Sequence, residues 1–83
     1  MSVNKAVILE KIIEVVRDQL DDYDLELTAD TTNSEVPGWD SLAHVRIVIG
    51  VEHAFGVRFT AKQIAAISSV GQMVEMIAES TSK

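Results

Sequence analysis

Apolar residues recur at helical spacing early in the chain, at Leu9, Ile12, Ile13, Val16 and Leu20. The spacing predicts a first helix over about residues 4–20, ended by Asp21-Asp22-Tyr23-Asp24. Residues 21–40 then lose periodicity and carry Thr, Asp, Asn, Pro and Gly. A connection this long in a small domain is functional or packed by its own apolar residues, here Leu25, Leu27, Val36 and Trp39. Pro37-Gly38 marks a turn. Asp40 and Ser41, both good N-caps, then precede a strongly apolar run to Phe55, with Gly56 to stop it. A second helix therefore starts at or next to Ser41. Thr60-Ala61-Lys62-Gln63 reads as a capping box opening a short third helix to about Ala66. Ser69-Val70-Gly71-Gln72 reads as another, opening a fourth helix whose apolar stripe is Val70, Met73, Val74 and Ile77. The expectation is an all-α fold: a small four-helix bundle, three main helices plus a short third, with a long loop between the first two. With no internal repeat and no boundary signal, residues 1–83 are expected to form one domain.

The second helix is unusual in having two apolar faces. At 100° per residue, Ile47, Val48, Val51, Ala54 and Phe55 share one arc, the expected core face. Leu42, Val45 and Ile49 fall on the opposite side, beside Arg46, Glu52 and His53. A surface helix of a bundle needs only one buried face. The second is either covered by the long loop or left as an apolar patch with a charged rim, as a docking surface would be.

Charge sharpens this picture. The net charge is −6, and its distribution is uneven. Residues 1–40 hold ten acids against Lys5, Lys11 and Arg17, a net of −7, whereas residues 41–83 hold three acids against four bases, a net of +1. An acidic chain argues against nucleic acid as a partner. No apolar run approaches membrane-spanning length, and the N-terminus reads as neither leader nor anchor. A cytoplasmic monomer, with no nucleic-acid and no membrane partner, is the expectation. There is no Cys, so the chain has neither a disulfide nor a thiolate of its own.

Few residues suggest catalysis. His44 and His53, nine positions apart on one helix, face opposite sides and cannot share a metal. No HExxH, glycine-rich phosphate loop or nucleophile elbow is present. A hydrolase would have to use Ser41 with His44, with no evident third member or oxyanion hole. From residue type alone, Ser41 reads most simply as a helix cap. Its position has a second meaning, because free N–H groups and the positive end of the helix dipole favour a phosphate there.

Gly38-Trp39-Asp40-Ser41-Leu42 decides between these readings. With its long preceding loop, the Glu52-His53-Ala54-Phe55-Gly56 end of the second helix and the Ile67-Ser68-Ser69-Val70 approach to the fourth, the chain resembles the acyl and peptidyl carrier protein family. The resemblance spans nearly the whole chain. It implies that Ser41 of the Asp-Ser-Leu motif is esterified with 4′-phosphopantetheine from coenzyme A. It also implies that Asp40 and Leu42 are recognised by the phosphopantetheinyl transferase. Leu42, Val45, Arg46, Ile49, Glu52 and His53 are then the expected partner-docking face. Such a carrier is not an enzyme. Partners would be the transferase, an acyl- or aminoacyl-loading ligase or transferase, and a downstream synthase or acyltransferase. The reactive thiol would reside on the arm, consistent with a chain lacking Cys.

In the family, acyl chains can tuck between the second and third helices. The matching lining would be Ile47, Val51, Phe59, Ile64 and Ile67, with His44 one turn from Ser41. One departure stands out. Fatty-acid-synthesis carriers usually show a row of carboxylates along the second helix, where this chain has Ala43, Arg46 and His53, with only Glu52 acidic. That favours a dedicated carrier in a specialised pathway over a housekeeping one. The alternative is a helical interaction module that keeps the fold and carries no arm.

Overall fold

In the computed structural model, which describes residues 4–81, helix α1 spans Lys5–Leu20. Residues 1–3, read above for a leader, and residues 82–83 lie outside the described range. Asn4 caps α1, its Oδ1 accepting from the Ala6 N–H at 2.9 Å. The helix ends at Asp21, which takes the left-handed conformation (φ 52°) usually left to glycine. Beside it, Tyr23 donates to Asp18 at 2.8 Å. That hydrogen bond, and then the Asp18 charge, raise the phenol above its ordinary 10.0.

Helix α2 spans Ser41–Phe55, α3 Ala61–Ala66 and α4 Val70–Thr81. Among the described residues there is no strand, and the all-α, four-helix expectation holds. The capping boxes form as read. Thr60 Oγ1 accepts from the Gln63 N–H at 3.1 Å while Gln63 Oε1 accepts from the Thr60 N–H at 2.8 Å. Ser69 and Gln72 exchange the same pair at the start of α4. Gly56, left-handed at φ 66°, closes α2.

Helix α1 packs against both α2 and α4. Ile8, Ile12 and Val16 meet Ile47, Val48 and Val51 from α2 and Val70, Met73 and Ile77 from α4, all essentially without exposure. Each such side chain contributes about 1.5–3 kcal/mol through burial. The predicted core arc of α2 needs correction at its end. Ala54 is exposed and Phe55 only partly buried. In the last turn the arc runs past the core, and Ala54 instead lines a groove beside Val15 and Tyr23.

The long loop is an ordered strap. Leu27, Val36 and Trp39 join the core, with Leu25 packed at its margin. A 3-10 turn over Asn33–Glu35 is held by Glu35, whose Oε1 accepts from the Thr32 N–H at 2.8 Å and the Thr32 hydroxyl at 2.9 Å. These bonds, the backbone one first, hold the Glu35 carboxyl below its ordinary 4.5. The strap is fastened at two places. Arg17 Nε donates to the Leu25 carbonyl at 2.7 Å. The free N–H groups opening α4 donate back to the strap, Val70 to the Thr31 carbonyl and Gly71 to the Ala29 carbonyl. An isolated bridge pairs Thr32 with Ser69.

Candidate functional site

Ser41 sits where the strap meets α2. Asp40, in extended conformation, is the N-cap, and its Oδ1 accepts from the Ala43 N–H at 2.8 Å. Ser41 is the first helical residue and is exposed. The amides of Ser41 and Leu42 have no hydrogen-bond acceptor among the described residues. Free donors and the positive helix end therefore surround an accessible hydroxyl, a setting that favours a phosphate ester.

A groove opens beside Ser41, between α2 and α3. Its wall includes Trp39, His44, Val45, Ala61, Ile64 and Ile67, with Asn33 behind them. This differs from the expected cargo lining. Ile47 and Val51 are wholly buried and Phe59 nearly so, because they are committed to the core beneath α2. Of the expected residues, only Ile64, Ile67 and His44 line the groove.

The groove is framed by polar contacts that the sequence pattern did not indicate. Trp39 Nε1 donates to His44 Nδ1 at 3.0 Å. His44 Nε2 lies 2.8 Å from the Ile64 carbonyl, so the tautomer that satisfies both partners carries its proton on Nε2. Asn33 Nδ2 donates to the Ile67 carbonyl at 2.9 Å, while Asn33 Oδ1 is a buried acceptor without a partner among the described residues. Loop, α2 and α3 are thereby tied together one turn from Ser41. Both imidazole nitrogens are engaged, and no hydrogen bond joins His44 to Ser41 among the described residues. The pair lacks the nucleophile–base contact a Ser-His hydrolase needs.

The second apolar face of α2 stays open. Leu42 is 62% exposed, and Val45 and Ile49 are each 45% exposed. The strap covers the core and the groove's edge instead of this face. Arg46 and His53 are exposed beside it. Glu52 is half-buried, its Oε2 accepting from the Phe59 N–H at 2.7 Å, so it braces the turn after α2. Among the described residues there is no cluster of side chains able to hold a metal, and no helix is long and apolar enough to cross a membrane.

A helical bundle that presents a capped, exposed serine at a helix start, beside a groove and an open apolar face, has the architecture of a carrier domain. The family model described as phosphopantetheine attachment site matches residues 10–77, and the chain belongs to this phosphopantetheine-binding carrier family. It is 39% identical over 72 residues to acyl carrier protein 5, chloroplastic, of Arabidopsis thaliana, covering 86% of this chain and 51% of that protein. It is 35% identical over 71 residues to the chloroplastic acyl carrier protein of Brassica napus, covering 86% of this chain and 53% of that protein. The chain thus spans about half the length of these relatives. Its fold matches the solution structure of holo acyl carrier protein from Geobacter metallireducens with a TM-score of 0.79. That match has 22% identity and covers 88% of this chain and 84% of that one.

Proposed function

We propose that Ser41 carries the 4′-phosphopantetheine group and that the chain is a non-enzymatic carrier of acyl or aminoacyl thioesters. The observation carrying this reading is the exposed Ser41 of Asp-Ser-Leu at the start of α2, with free amides around it and the groove alongside. The site fits the group. The hydroxyl is accessible, the helix end suits a phosphodiester, and the wall of Val45, Ile64 and Ile67 suits a chain lying along it. When bound, the group supplies a thiol on a flexible tether, which the chain itself lacks.

The residues of this chain have distinct roles in the proposal. Asp40 fixes the helix start and so the direction of the Ser41 hydroxyl, and with Leu42 it is what the phosphopantetheinyl transferase reads. The clasp of Trp39, His44 and Asn33 holds the groove open between α2 and α3. The face of Leu42, Val45 and Ile49 meets the loading and receiving enzymes. Arg46 and His53, in place of carboxylates, support service in a specialised pathway. In that case a fatty-acid malonyl transferase should load the carrier poorly, and R46E/H53E should improve it. A cytoplasmic setting belongs to the same proposal and is tested by cell fractionation.

The absence of Cys provides a direct test. Treated with coenzyme A and a phosphopantetheinyl transferase, then desalted, the protein should gain one thiol titratable with a disulfide reagent, from a background of zero. A thiol count that stays at zero under a transferase active on a control carrier contradicts the reading.

A further inference from the structure

Two side chains bracket the start of α2. Trp39 and His44 stand on either side of Asp40-Ser41-Leu42-Ala43, and the indole N–H closes that segment by donating to His44 Nδ1 at 3.0 Å. Helix starts fray because their first N–H groups lack intrahelical acceptors. Asp40 holds this turn from within, accepting at Oδ1 from the Ala43 N–H and at its carbonyl from the His44 N–H, each at 2.8 Å. The Trp39–His44 bond adds a hold from outside, anchored in a buried indole.

That outer bond depends on one proton. His44 Nδ1 faces two donors, the indole N–H and Asn33 Nδ2, the latter 3.5 Å away. Nε2 keeps its own hydrogen for the Ile64 carbonyl at 2.8 Å. A second proton, on Nδ1, sets N–H against N–H and abolishes the bond to Trp39, while the Ile64 contact survives. His44 is half-buried and lines the groove, so solvent delivers that proton directly. Among the described residues, Asp40 is the one other ionisable group lining the groove, and it is occupied at the helix start. Glu35 on the strap is held by Thr32, and neither it, Lys62 on α3 nor Arg46 on α2 belongs to the groove wall.

We propose that His44 is a positioning residue for Ser41 and that its neutral ring is a latch, released when Nδ1 takes a proton. Latched, the indole and the imidazole hold the Ser41 turn in one orientation beside the groove. Released, α2 keeps its tie to α3 through Nε2, whereas the strap loses its side-chain hold on the helix start. The link to phosphopantetheine attachment rests on the carrier reading, but the latch itself does not.

The test follows the full, isotopically labelled chain by NMR between about pH 5 and 8, where imidazoles change charge. The single indole N–H, the Asn33 side-chain amide and the Ser41 and Leu42 backbone amides should shift together with the His44 ring and not with that of His53. His44→Asn places a neutral acceptor at the Nδ1 position, and its indole resonance should stay latched at every pH. His44→Gln keeps only the donor toward Ile64, and its indole should stay released. Wild type and His44→Asn are then mixed and compete for coenzyme A and a phosphopantetheinyl transferase, with modification read by mass spectrometry. The wild-type to His44→Asn ratio should fall about two- to tenfold toward low pH, the worth of one hydrogen bond. Both chains meet the same enzyme, so its own pH profile cancels. An indole unmoved while His44 titrates, an indole shift that follows His53, or loss of helical circular dichroism before His44 takes a proton would overturn the latch. Unmoved Ser41 and Leu42 amides, or a flat competition ratio, would overturn the positioning role. Modification of neither chain would strike the attachment reading instead, with the NMR shifts still deciding the latch.

Discussion

Trp39 and His44, five residues apart, meet through a 3.0 Å hydrogen bond from the indole N–H to the imidazole Nδ1, with ring centroids 6.1 Å apart. Trp39 belongs to the strap, His44 to α2, and the other imidazole nitrogen reaches the Ile64 carbonyl of α3. One imidazole therefore joins three segments around the groove beside Ser41. His44→Ala leaves a partly buried indole N–H and a carbonyl without their partner. The expected loss is about 1–3 kcal/mol. Denaturant unfolding followed by the single tryptophan measures it, and the indole N–H resonance should move. Unchanged stability with an unmoved indole resonance would show that the clasp does not hold the groove.

The core gives a graded expectation along α2. Ile47 has no exposure, so Ile47→Ala should cost about 2–5 kcal/mol. Phe55 is only partly buried at the helix end, and Phe55→Ala should cost less than the roughly 3–5 kcal/mol typical of a core phenylalanine. Thermal melts of the two variants check the order. A larger loss for Phe55→Ala would mean that the rotation of α2 is wrong.

Gly71 sets two effects against each other. Gly→Ala inside a helix ordinarily stabilises by about 0.5–1 kcal/mol. Here, a Cβ would stand 2.6 Å from the Ala29 carbonyl oxygen, a backbone atom already holding the Gly71 N–H at 2.8 Å. That oxygen cannot swing aside as a side chain could, so Gly71→Ala should destabilise, by about 1–3 kcal/mol. A variant that melts higher than the parent would show that the strap yields.

Glu35 gives the strap a pH dependence. Its carboxyl is held below 4.5 by the Thr32 N–H and hydroxyl, so the charged form is favoured in the folded state. A depressed carboxylate contributes stability that is present above its unfolded value and lost as pH falls through the folded one. The Thr32 amide resonance should therefore titrate below the ordinary glutamate range. Glu35→Gln, which keeps an acceptor without a charge, should abolish that titration. Titration at or above 4.5 in the parent would contradict the bond.

The helices were legible because their ends are written locally. Asn4, Asp40, Thr60 and Ser69 precede their helices, and the boxes closed by Gln63 and Gln72 need only three residues of context. That α2 has a second apolar face, of Leu42, Val45 and Ile49, followed from periodicity alone, whereas its being left open by the strap did not. The groove was legible only in part, through Ile64, Ile67 and His44. Its wall depends on where α3 lies, and the partners of His44 and Asn33 are the carbonyls of Ile64 and Ile67, 20 and 34 residues away. The partner of Glu52 was hidden for a similar reason. On a helical wheel Glu52 belongs to the docking rim, whereas the turn after Gly56 brings the Phe59 N–H back onto it. Ala54 fell on the core arc, but the arc outlasts the core by a turn.

The central claim is that Ser41 holds the prosthetic group, and fragment mass spectrometry of the transferase-treated protein tests it most directly. One phosphopantetheine per chain should appear, on the peptide containing Ser41, and Ser41→Ala should acquire none while keeping its helical circular dichroism. Modification of another residue, or its persistence in Ser41→Ala, would contradict the account.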